Sequence, residues 1–116
     1  LPEPVDLIVI DVSFISLRLI LPAVARWVGP AADVVALIKP QFEAGPESVG
    51  KGGIVRDVAV RQRVLVEVLD WAAAHGWGVA GLVRSSLVGA DGNVEYLVWL
   101  RRGGVSVDVA ALIDAA

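Results

Sequence analysis

Hydrophobic and polar positions divide the chain into short alternating blocks. Val5-Asp-Leu-Ile-Val-Ile10, β-branched and apolar, is bounded by Pro4 and Asp11 and reads as a buried, central parallel strand. Ser13 and Ser16 are candidate N-caps for a helix over 16–28, which Pro22 should either kink or make start a little later and Gly29-Pro30 should close. A second strand of the same character covers 33–38 and stops at Lys39-Pro40, and a Gly-rich polar loop follows over 40–56. Asp57 then caps the clearest helix, 58–75, with core positions at 64, 65, 68, 69, 71, 72 and 75, and Gly76 suits the residue just past its end. A strand over 77–84, a turn over 89–93 and a last strand over 94–101 come next. The tail, 103–116, reads as a strand end and a helix starting at Val109. No internal repeat is visible.

The order β-α-β-α-β-β predicts a three-layer α/β fold whose early strands are parallel and whose last strand is antiparallel. At 116 residues the chain is one domain at most. Composition changes this picture in four ways. A hydrophobic content of 56% against 20% charged residues excludes disorder. Mean hydropathy is +0.69, yet no apolar run approaches the roughly 18 residues of a membrane helix, so the apolar content belongs to a buried sheet rather than a membrane span. The absence of Cys excludes disulfides and thiolate metal sites, and a single His excludes a His-cluster metal site within the chain. A net charge of −3 provides no global field for nucleic acid, so any RNA contact needs a local patch.

Three charged residues stand at the ends of apolar strands: Asp11, Lys39 and Glu95. In the predicted topology all three reach the carboxyl edge of the sheet, where open α/β sheets bind ligands. Strands about 4.8 Å apart bring such ends within roughly 10 Å of each other. A lysine between two carboxylates is a group that can be oriented for proton transfer. Each residue also has an ordinary structural reading, as a helix cap or a solvated strand end. Two other patterns are weaker. Gly45-Pro-Glu-Ser-Val-Gly-Lys-Gly52 nearly spells a phosphate-binding loop, but Gly52 stands where the Mg²⁺-holding hydroxyl belongs. Asp11 and Lys39-Pro40 also resemble the phospho-acceptor Asp and Lys-Pro of receiver domains. Only one helix separates them here, however, and the early acidic pair is missing.

Four blocks in order carry a closer resemblance: Asp11-Val-Ser-Phe-Ile-Ser16, Ile38-Lys-Pro-Gln-Phe-Glu43, Val49-Gly-Lys-Gly-Gly-Ile-Val-Arg-Asp57 and Gly92-Asn-Val-Glu-Tyr96. Together they resemble the TlyA (hemolysin A) family of FtsJ-like, S-adenosylmethionine-dependent rRNA 2′-O-methyltransferases. The resemblance implies a Rossmann-like sheet with an antiparallel last strand, and a Lys-Asp-Lys-Glu catalytic tetrad. Asp11, Lys39 and Glu95 match the Asp, the second Lys and the Glu. It further implies Asp11, Val12 and Phe14 along the cofactor, Lys51 and Arg56 toward RNA, an rRNA cytidine or ribosomal subunit as partner, and a cytoplasmic location. The tetrad's first Lys, the Gly-rich cofactor loop and the small RNA-binding domain have no counterpart in these residues. The chain therefore reads as the C-terminal half of a methyltransferase domain, inactive alone and binding S-adenosylmethionine weakly or not at all. The competing class is a non-catalytic binding or oligomerisation module. Strand 5–10, stripped of one neighbour, is expected to pair two copies into a homodimer.

Overall fold

A computed structural model describes residues 5–11, 16–45, 49–50, 53–85 and 92–116. The chain runs β1 (Val5–Ile10), α1 (Leu17–Val24), β2 (Val28–Ile38), α2 (Pro40–Glu43), α3 (Val58–Ala74), β3 (Trp77–Arg84), β4 (Tyr96–Arg102) and α4 (Val109–Ala115). The four strands make one sheet in the order β1-β2-β4-β3. β1 and β2 are parallel, while β4 is antiparallel to both of its neighbours, β2 and β3. This is the predicted strand arrangement. It sets aside the receiver-like alternative, whose doubly wound sheet is built from parallel strands.

The long amphipathic helix forms over nearly its expected span, but Trp71 is only partly buried and His75, its exposed C-cap, does not join the core. Asp57 accepts from Ala59 N–H at 2.8 Å, a cap worth about 1 kcal/mol. Val64, Leu65, Val68, Leu69 and Ala72 are buried along one face of α3. Gly76 follows in a left-handed conformation, φ 88°, which a side chain would strain. The tail helix starts at Val109 as predicted, with Asp108 accepting from Ala111 N–H at 3.1 Å.

Three boundaries differ from the sequence reading. α1 contains Pro22 and ends at Val24 rather than 28, where the chain turns toward pairing with β1. β2 consequently begins at Val28 rather than 33. Gly29-Pro30, expected to close a helix, lies in a bulge instead: Val5 pairs with Val28 but Leu7 with Asp33, so two steps along β1 face five along β2. Pro40–Glu43 is a turn of helix inside the expected loop, started by a proline at its first position. The turn expected at 89–93 falls mostly outside the described residues, as does Ser13.

The described structure has two layers, not three. Leu17, Leu21 and Val24 of α1, the inner face of α3 and Ile113 of α4 join Val34, Ala36, Ile38, Val79, Val98 and Leu100 of the sheet in one buried cluster. The opposite face carries Leu7, Val9, Val83, Leu97 and Trp99, all exposed. Every helix of the described residues that covers the sheet lies on the first face, so among those residues the second is open and, apart from the Asp33–Arg101 pair, largely apolar.

Candidate active site at the carboxyl edge of the sheet

Sheet topology gathers the three strand-end charges. Asp11 directly follows β1 and Lys39 directly follows β2, and the two strands are parallel neighbours. Glu95 directly precedes β4, whose first residue, Tyr96, pairs with the last residue of β2, Ile38. Lys39 Nζ lies 2.7 Å from Asp11 Oδ1. The lysine side chain is 12% exposed and the aspartate 62%, so a largely sheltered amine meets a carboxylate that still faces solvent. Glu95 is buried and accepts a hydrogen bond from Gln41 Nε2 at 3.0 Å. The structure thus joins Asp11 to Lys39 directly and brings Glu95 to the same edge through Gln41, two residues beyond Lys39.

Sequence reasoning left three polar residues without a role. Glu43 is buried; its carboxylate accepts from Ser16 Oγ at 2.5 Å and from Leu17 N–H at 2.7 Å, with Arg18 Nη2 3.7 Å away. A carboxylate at the first turn of α1 satisfies an otherwise orphaned amide and complements the helix dipole. It also ties α2 to the end of the segment that begins at Asp11. Asn93 is buried and clasps a neighbouring loop, accepting from Val55 N–H and donating to the carbonyl of Gly53, both at 2.9 Å. Within that loop Gly50 N–H bonds to the carbonyl of Ile54 at 2.8 Å. Gln41 is the third. The available signal was position: Gln41 and Glu43 follow Lys39 at every second residue, and Asn93 stands two before Glu95.

The remaining expected residues divide. Arg56 is exposed at the end of the clasped loop, and its backbone carbonyl accepts from Arg61 Nη1 at 3.2 Å. Val12, Phe14 and Lys51 lie outside the described residues. α3 begins only at Val58, well after Lys51, so no helix N-terminus follows the phosphate-loop-like run at the position a P-loop requires. As a donor set for S-adenosylmethionine, the edge offers the solvent-facing carboxylate of Asp11, suited to an ammonium or a sugar hydroxyl. The fit extends to this one described group.

Comparison with known proteins agrees with this fold. The model of the family described as FtsJ-like methyltransferase matches residues 1–102. YqxC of Bacillus subtilis, provisionally named an rRNA methyltransferase, is 54% identical over 95 residues, covering 82% of this chain and 34% of YqxC. The 16S/23S rRNA (cytidine-2′-O)-methyltransferase TlyA of Mycobacterium tuberculosis is 48% identical over 97 residues, 84% of this chain and 36% of that protein. A Streptococcus thermophilus protein of solved structure, provisionally named a hemolysin, superposes with a TM-score of 0.88 at 39% identity, covering 97% of this chain and 42% of its own. The chain spans about a third of the length of the curated relatives it matches.

Proposed function

Because the chain belongs to the FtsJ-like methyltransferase family, we propose that it carries the proton-handling half of an rRNA ribose 2′-O-methyltransferase, acting within a longer protein in the cytoplasm. The observation that carries this reading is the Lys39–Asp11 ion pair at 2.7 Å on the carboxyl edge, with the buried Glu95 on the same edge. A ribose 2′-hydroxyl is a weak acid and a poor nucleophile until it gives up its proton. Lys39 holds that hydroxyl and, in its neutral form, takes the proton as the oxygen attacks, ending as the ammonium paired with Asp11. Asp11 fixes the amine in place, and Glu95 supplies a second carboxylate to orient the groups around it. S-adenosylmethionine, when bound, supplies the electrophilic methyl. Asp11 and the segment with Val12 and Phe14 would hold it, while Lys51 and Arg56 would follow the phosphates of the RNA, the contacts that set register rather than sequence. The names of the relatives support a cytidine as the target. Most of the acceleration would come from alignment of the reacting atoms.

Two measurements test the reading. In the full-length protein carrying this segment, Lys39→Ala abolishes methyl transfer to rRNA and leaves cofactor affinity nearly unchanged, because the amine acts on the hydroxyl. Turnover near that of the wild type would refute the proton-transfer role. The 116 residues include no Gly-rich turn after β1 of the kind that lets backbone approach a nucleotide cofactor. Titration calorimetry of S-adenosylmethionine into the isolated 116-residue chain should accordingly show weak binding or none. A micromolar dissociation constant would mean that these residues alone complete the cofactor site.

A further inference from the structure

Three residues along α2, from its N-cap to its last position, reach three different parts of the site. Lys39 pairs with Asp11, Glu43 fastens the start of α1, and Gln41 donates to Glu95. The first two have evident uses. Gln41 sits on a four-residue helix that needs no polar side chain at that position, and its own carbonyl oxygen, Oε1, is buried with no hydrogen-bond partner among the described residues. An unmatched buried carbonyl is uncommon in proteins. The contact that holds the Gln41 amide is therefore the one from Nε2 to Glu95. Reversing the amide would set two oxygens against each other.

From this geometry we propose that Gln41 is a positioning residue, which holds the carboxylate of Glu95 in a single orientation at the edge that carries Lys39. The terminal torsion of a glutamate side chain is broad and does not fix the carboxylate plane by itself. A neutral amide donor fixes it without cancelling its charge, whereas a lysine or arginine in the same place would do both. Gln41 and Lys39 are two residues apart on the same rigid turn, so the donor that orients Glu95 is in fixed register with the amine. This inference rests on the methyltransferase reading above.

The test is a double-mutant cycle in the full-length protein, with transfer of methyl groups to rRNA as the assay. Gln41→Met keeps the length of the side chain and removes the donor. It should lower kcat by about tenfold, the loss of one hydrogen bond to a charged group, with KM for S-adenosylmethionine and for RNA unchanged. In a Glu95→Ala background the same substitution should have almost no further effect, because the group it acts through is gone. If Gln41→Met fails to fold, as judged by its thermal melt, Gln41→Asn retracts the donor by one methylene and should behave alike. A kcat unchanged by either variant, or losses that simply multiply in the double mutant, would overturn the positioning role while Lys39→Ala still abolished turnover. A wild-type protein that never methylates rRNA would instead sink the underlying reading, and this role with it.

Discussion

Asp33 shows how a single side chain ties pH to stability on the open face of the sheet. Its Oδ1 accepts from Trp99 Nε1 at 2.8 Å and from Arg101 Nε at 3.1 Å. The Trp99 hydrogen bond first, then that of Arg101, holds the carboxyl below its ordinary value of 3.8. A depressed value means the charged form is favoured in the fold, so the contribution is complete above 3.8 and is lost as pH falls through the lower, folded value. Urea unfolding in buffers on either side of that pH should show stability declining with acid, and Asp33→Asn should flatten that part of the decline. An identical acid dependence in the variant would remove Asp33 from the account. The same scale shows what could be read from sequence in the candidate site. Asp11, Lys39 and Glu95 were visible because each interrupts an apolar run at its end. Gln41, Glu43 and Asn93 were not, since a polar residue in a polar loop reads as solvated. Only tertiary contact buries Glu43 and Asn93 and gives them partners. Arg61, one turn before Val64 and Leu65 on the buried face of α3, is likewise buried.

Elements with a strong period were legible, and those governed by a local conflict were not. α3 combines a cap, a helical repeat of apolar residues and a terminal glycine, and all three agree. β3 matches its expected bounds, 77–84, and β4 is displaced by no more than two residues from 94–101. The segment from Leu17 to Ile38 is different. Its aliphatic content suits helix and strand alike, and the deciding influence is pairing with β1, a contact distant in sequence. The bulge around Pro30 exists because the proline cannot donate to the ladder, yet Val28 still finds Val5. α2 escaped notice for another reason: four residues give no periodicity, and the proline that starts a helix also ends a strand. That turn nevertheless sets the relation between Lys39 and Gln41, so the least legible element carries the closest geometric control over the candidate site.

Among the described residues, one edge of the sheet is partnered at Val79 and the other is open. Along the outer edge of β3 the tail supplies partners: Val107 N–H bonds to the carbonyl of Val79, and Ser106 Oγ accepts from Val79 N–H, both at 3.0 Å. Across the sheet, β1 pairs with β2 alone among the described residues. A strand with free backbone groups on one side is a template for another strand, and β1 has no lysine within it to discourage pairing. The exposed side chains add to this, since Leu7 is 60% and Val9 71% exposed on the same apolar face as Leu97 and Trp99. Apolar patches of that kind mark contact surfaces. In a longer protein a neighbouring strand would occupy the edge. In the isolated 116-residue chain, a second copy is the partner of matching chemistry, and two β1 strands paired antiparallel close the contact by a two-fold axis. We therefore expect light scattering at micromolar concentration to give about twice the 12.2 kDa of the single chain. Val9→Lys, which places a charge on a residue already facing water, should return it to a monomer with its melting temperature little changed. A wild-type chain that scatters as a monomer, with β1 protected from amide exchange, would show that the edge is quiet by itself and that pairing through residues 5–10 does not occur.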